Sequence, residues 1–139
     1  MTEFLNKLYI DGEWRDGATG ETFDVLNPAD ESVITSVASG KIEDATACVD
    51  AAEAAFASWA AKSPRERSEI LRRAFYIYMQ KIDDIARLIT LENGKAGADA
   101  LGEAKYAGEF FRWYAEEAVR SEGHLGIAPA SGARILVHQ

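Results

Sequence analysis

After Ser39-Gly40 the spacing of apolar residues changes from the alternation of strands to the threes and fours of a helix, and this dictates a chain that opens in strands and continues in helices. Ahead of the change, Leu8-Tyr9-Ile10 and Glu13-Trp14 flank Asp11-Gly12, a pair that tolerates the positive backbone angles of a type I′ turn. That spacing predicts a hairpin. The turn-rich Asp16-Gly17-Ala18-Thr19-Gly20 leads into Thr22-Phe23-Asp24-Val25-Leu26, whose alternation predicts a strand ended by Asn27-Pro28, with residues 33–38 as its partner.

Past Gly40, Ala45, Cys48, Val49, Ala52, Ala55, Phe56 and Trp59 form one apolar stripe on a first helix. Ser63-Pro64-Arg65-Glu66 then supplies an N-cap serine, a proline suited to the first helical position and a glutamate placed to close a capping box. The apolar positions of this second helix, Ile70, Leu71, Ala74, Phe75, Tyr78, Ile82, Ile85, Ala86 and Ile89, keep helical spacing to Asn93-Gly94, with room for a break near Gln80. A third helix is predicted over residues 97–120, burying Leu101, Tyr106, Phe110 and Trp113. Beyond Gly126, Pro129, Ser131 and Gly132, residues 133–138 have the composition of a strand. The predicted class is mixed α/β: short antiparallel strands, three long helices, terminal strands.

Fifteen basic against twenty-three acidic side chains leave a net charge of -8, which repels nucleic acid and anionic membranes. The chain begins with no basic segment followed by an apolar one and contains no run of eighteen apolar residues, so a cytoplasmic location is expected. Cys48 stands alone, which excludes an internal disulfide and a thiolate metal cluster and fits a reducing compartment. His124 and His138 lack metal-ligand spacing.

Few residues offer chemistry of their own. Cys48 lies among alanines and a valine, where core packing is expected over an activated thiolate. Asp83-Asp84 and Glu116-Glu117 are adjacent helical positions about 100° apart, which solvates a face and does not converge two carboxylates on a substrate. Gly94-Lys95-Ala96-Gly97 lacks the spacing of a phosphate-binding loop. Tyr106, Phe110 and Trp113 either line a ligand channel or pack in a core, and the core is the favoured reading.

Ordered strings carry more. Tyr9-Ile10-Asp11-Gly12-Glu13-Trp14, Asn27-Pro28-Ala29, Glu31-Ser32-Val33-Ile34, Ala51-Ala52-Glu53-Ala54-Ala55-Phe56 with Trp59, Arg65-Glu66-Arg67, Leu91-Glu92-Asn93-Gly94-Lys95 and Phe111-Arg112-Trp113-Tyr114-Ala115-Glu116-Glu117 stand in one series. In order and spacing it resembles the amino-terminal part of an aldehyde dehydrogenase, most like the succinate-semialdehyde branch. Ala96 departs from the pattern, since many such proteins have a proline after Gly-Lys that would suit a first helical position.

The resemblance implies oxidation of an aldehyde to an acid: a cysteine thiolate adds to the carbonyl, hydride passes to NAD or NADP, and a glutamate-activated water releases the acyl group. It places the catalytic and coenzyme-binding residues beyond Gln139, so none is expected here. It implies that residues 1–123 are the start of the coenzyme-binding domain and 124–139 the start of an oligomerisation arm, the parent being a dimer or tetramer. A sodium or potassium ion at Val25, Leu26 and Glu92 is implied as well, although Glu92 reads equally well as a solvated charge. Gly102 and Tyr106 become candidates for contact with the aldehyde's tail. Two other readings compete: a non-catalytic assembly or interaction module derived from the same fold, and an unrelated small-molecule binder built on the aromatic helix.

Overall fold

The structure is a computed structural model that describes residues 6–137. Strands β1 (Leu8–Ile10) and β2 (Glu13–Arg15) form the expected hairpin, with Asp11 at φ 52° and Gly12 at φ 81° as a type I′ turn requires. Tyr9 and Trp14 face each other across it, ring centroids 4.9 Å apart. Strands β3 (Thr22–Leu26) and β4 (Val33–Ala38) pair from Thr22 opposite Ala38 to Leu26 opposite Val33. Ile34 has no opposite, which makes it a bulge beside Val25 and Leu26. Strands β5 (His124–Ile127) and β6 (Arg134–Val137) form a third separate pair. His138, the expected end of that last strand, lies outside the described residues.

Four helices replace the three expected. They are α1 (Ile42–Ala60), α2 (Pro64–Gln80), α3 (Ile82–Asn93) and α4 (Gly97–Glu117). The long second helix divides at Lys81, whose φ and ψ of -110° and 11° leave the helical region; its N–H bonds Tyr78 three residues back, so the ladder tightens for a turn and restarts with Ile85 N–H on Lys81. The capping box closes as read: Ser63 Oγ accepts from Glu66 N–H at 3.2 Å while Ser63 N–H donates to Glu66 Oε2 at 2.8 Å. Gly94, at φ 72°, ends α3 with its N–H on Thr90 at 2.9 Å. Ala96 is the N-cap of α4, not its first helical residue.

One carboxylate ties the strands to the helices. Asp44 is 3% exposed and accepts from Ala18 N–H at 3.0 Å, from Lys41 N–H at 3.0 Å and from Arg15 Nη2 at 3.2 Å. It therefore joins the first hairpin, the turn after it and the start of α1 in one hydrogen-bonded knot. Gly17 is required inside that knot, since a Cβ there would lie 2.6 Å from the Ser39 carbonyl oxygen.

The core sits where α4 crosses α2 and α3. Ala100 and Ala104 are fully buried, Ala86 is buried beside them, and Ile82, Ile85, Ile89 and Leu101 close around the three. One turn on, a Cβ at Gly108 would lie 3.2 Å from the Tyr78 ring, and Ala115 is buried beyond it. The inward face of α4 is thus built from small residues, which let the helix axes approach closely.

Two core expectations fail here. The aromatic run of α4 is outside: Tyr106 is 66% and Trp113 63% exposed, with Phe110 also exposed. A helix buries one stripe, and the alanine-glycine stripe occupies the interface, so the aromatics fall on the opposite side. The stripe of α1 is uncovered too, Cys48 included, with Phe56 69% exposed. The main contact of α1 is with β1, and no described element lies over its apolar face.

The total accessible surface, 10,488 Å², is well above the roughly 7,100 Å² that size scaling gives for a folded chain of 15.2 kDa. The small core between α3 and α4 leaves apolar faces of α1 and α4 uncovered among the described residues.

Two substitutions probe this framework. The N–H groups of Ala18 and Lys41, then Arg15, hold the Asp44 carboxyl below its ordinary range. A lowered folded value means that its contribution to stability is present above the ordinary carboxylate range, near 3.9, and is lost as pH falls through the folded value. Asp44→Ala is expected to lower Tm by several degrees at neutral pH and to flatten the acid limb of Tm against pH, read by circular dichroism. Gly94→Ala is expected to cost about 1–2 kcal/mol in denaturant unfolding, because φ is left-handed and a Cβ there would stand 3.1 Å from Pro28 Cγ.

Candidate functional site

The outward face of α4 follows from the sequence arithmetic of its inward face. With Ala100, Ala104 and Gly108 turned to the core, Tyr106, Phe110 and Trp113 share the far side. Tyr106 and Phe110 meet edge to face, centroids 5.0 Å apart at 77°, which sets one ring against the other. With Glu109, Trp113 and Tyr114 they border an open depression of about 300 Å³. A neighbouring depression is lined by Gly102, Glu103, Tyr106, Ala107 and Phe110. The structure thus brings Gly102 and Tyr106 together, one turn apart, on one apolar and accessible surface. A Cβ at Gly102 would meet nothing within 4 Å, so the glycine leaves space where Tyr106 begins.

A second corner forms where β3 ends. Asn27 organises it: its N–H donates to Ser32 at 2.9 Å, its carbonyl accepts from Glu31 N–H at 2.8 Å and its Oδ1 accepts from Ala29 N–H at 3.0 Å. Glu31 is held at φ 59° as a result. The loop seats Pro28 against Gly94. Leu26 and Glu92 each lie two residues from that contact, so the strand end and the end of α3 share the corner. The bulge at Ile34 interrupts the ladder beside Val25 and Leu26.

Other polar groups hold the frame. Lys95 pairs with Glu103 and so ties the turn after α3 to the second turn of α4. Burial raises the Tyr78 hydroxyl above its ordinary value, and its ring stands 5.9 Å from Phe111. Cys48 has no hydrogen-bonded base among the described residues. No group of three or more His, Cys, Asp or Glu among them is arranged to hold a metal ion, and no helix among them is long and apolar enough to cross a membrane.

Comparison with known proteins decides what this frame belongs to. The model of the aldehyde dehydrogenase family matches residues 14–139. The chain belongs to the aldehyde dehydrogenase family. It is 43% identical over 134 residues, 96% of the chain, to the NADP-dependent succinate-semialdehyde dehydrogenase of Escherichia coli K12. It is 42% identical over 134 residues, again 96% of the chain, to a glutarate-semialdehyde dehydrogenase of Pseudomonas putida. The crystal structure of an aldehyde dehydrogenase from Brucella melitensis superposes on 93% of the chain with a TM-score of 0.85 at 43% identity. An NADP-dependent enzyme of E. coli superposes on 94% with a TM-score of 0.86 at 40% identity. The chain spans only 27–28% of the length of these aldehyde dehydrogenases.

The family expectation and the mixed α/β class, with its short antiparallel strands and long helices, stand as read from the sequence. The signal for the buried side of α4 was also present, as Ala100, Ala104, Gly108 and Ala115 at helical spacing. The larger aromatic stripe on the opposite side of the helix masks it.

Proposed function

We propose that the complete polypeptide carrying this chain oxidises a semialdehyde, succinate semialdehyde before other aldehydes, to its carboxylic acid with NADP or NAD as hydride acceptor. The observation that carries the reading is the degree of likeness to semialdehyde dehydrogenases over nearly the whole chain. The cysteine that adds to the carbonyl, the glutamate that activates water and the donors that hold the oxyanion belong to polypeptide outside these residues. The coenzyme is assigned to none of them either. Residues 1–123 serve as the first part of the coenzyme-binding domain and 124–139 as the start of the arm through which subunits pair.

In this reading α4 supplies one wall of the passage to the reacting carbon. Tyr106 and Phe110 give that wall an apolar, rigid surface, and Gly102 widens it. The exposed β5–β6 pair supports the arm: Leu125 and Ile127 stand uncovered beside free strand edges, the arrangement that invites a strand from another subunit. The corner of Val25, Leu26 and Glu92 holds a sodium or potassium ion, with oxygen donors suited to a hard cation.

Two experiments test these assignments in the complete enzyme. Tyr106→Ala is expected to raise KM for glutarate semialdehyde roughly tenfold more than for a two-carbon aldehyde, with little change in Tm. Equal losses for both substrates would remove Tyr106 from the passage. Potassium at ten times its dissociation constant is expected to stabilise the wild type by about 1.4 kcal/mol over a choline control, and Glu92→Ala to lose most of that response. Identical salt responses in the two proteins would remove the ion.

A further inference from the structure

Three asparagines occur in the chain, and the structure sorts them by whether their carboxamides can react with the backbone. A succinimide forms when the amide nitrogen of the next residue attacks an asparagine Cγ. That needs a free side chain, a following N–H and little bulk on the following residue. Asn27 is excluded twice: its Oδ1 accepts from Ala29 N–H at 3.0 Å, and Pro28 after it has no N–H. Asn6 is held through Nδ2, which donates to the Ser36 carbonyl at 3.0 Å, and Lys7 after it carries a long side chain. Asn93 is exposed, its carboxamide has no hydrogen-bond partner among the described residues, and Gly94 follows it. Asp11 and Asp16 also precede glycines, but a carboxylate is a poorer electrophile than a carboxamide.

We propose that Asn93-Gly94 is a site of spontaneous deamidation and isoaspartate formation, gated by the packing of Pro28 on the C-cap of α3. Asn93 is the last residue of α3, and a helix end opens more readily than the turns behind it. Two contacts hold this end shut. Gly94 N–H donates to the Thr90 carbonyl at 2.9 Å, which fixes that nitrogen to the last turn of the helix. Pro28 packs against the same glycine, its Cγ 3.1 Å from where a Gly94 Cβ would stand, and this limits rotation of the Asn93-Gly94 peptide. When both yield, the Gly94 nitrogen bonds to Asn93 Cγ, and ammonia leaves carrying the proton from that nitrogen. Water then opens the ring. Attack at Cγ gives aspartate; attack at the Asn93 α-carbonyl gives isoaspartate, whose main chain is longer by a methylene. Water is the only other reactant, and the loss of ammonia makes the change irreversible.

The product acts back on the corner that formed it. Either acid places a new negative charge at the C-terminus of α3, where the helix dipole is already negative and Glu92 is adjacent. Isoaspartate also lengthens the main chain between Thr90 and Gly94, which breaks the register of the capping bond. A molecule that has reacted therefore holds the junction of α3 with the Asn27 loop less tightly than before.

The site does not rest on the proposed dehydrogenase reaction, and none of the readouts involves it. The complete polypeptide is incubated for several weeks at neutral pH, natively and in urea. Digests are read by mass spectrometry for amide-to-acid conversion at each asparagine, and by enzymatic methyl transfer for isoaspartate. In the native protein, conversion is expected at Asn93 ahead of Asn6 and Asn27, and at least about tenfold more slowly than in urea, where both contacts are gone. Pro28→Ala is expected to speed the native reaction about threefold or more while leaving the rate in urea unchanged. Gly94→Ala is expected to slow the reaction in urea, where the fold plays no part. An Asn93 that stays an amide in the native protein, earlier conversion at Asn6, equal rates with and without urea, or no acceleration by Pro28→Ala overturns the gated site.

Discussion

The close approach of α4 to α2 and α3 is the constraint from which the rest of the structure follows. It is set by the absence of side-chain bulk: Ala100, Ala104, Gly108 and Ala115 let the helices meet, and Tyr78 packs where a Gly108 Cβ would crowd its ring. Once that stripe is inside, the orientation of every other residue of α4 is settled by helical geometry. Tyr106, Phe110 and Trp113 are driven out, and Arg112 is carried round to the flank that faces α2. The aromatic wall and the groove between α2 and the far flank of α4 are two products of one packing choice.

This explains why the sequence was legible in some places and opaque in others. Turns and caps are written in local chemistry, so Asp11-Gly12, Ser63 with Glu66, and Gly94 announced their conformations directly. The break at Lys81 was only half visible, since no proline or glycine stands there. The helical spacing of the apolar residues continues across it. Facing was the hard part. Large apolar residues at helical spacing predict a core, yet Cys48, Phe56, Tyr106 and Trp113 are exposed among the described residues. Hydrophobic spacing identifies the stripe of a helix that is to be covered, but does not say by what.

The same distinction separates the two kinds of stability in the chain. The knot at Asp44 is self-contained: its acceptor oxygens, the Ala18 and Lys41 N–H groups and the Arg15 guanidinium are all supplied within about thirty residues of sequence. A buried carboxylate without those donors would be costly, so the charge enforces the arrangement of hairpin, turn and helix start. The apolar stripes of α1 and α4, by contrast, gain nothing until something covers them. Their exposed rings account for part of the surface in excess of a closed chain of this size.

For the proposed sites, this means that shape precedes partner. The Asn27 loop and the Gly94 cap are fixed by short-range hydrogen bonds and by Pro28 against Gly94, so the corner holding Val25, Leu26 and Glu92 is built without an ion. The Tyr106–Phe110 contact likewise orders the wall before any substrate arrives. Preorganisation of this sort lowers the entropy lost on binding, and it is available only because the helices beneath are already locked by their smallest residues. A bulky side chain at Ala104 would therefore act at a distance. It would part α4 from α3, tilt the aromatic wall and shift Arg112 along α2, disturbing both faces although it touches neither.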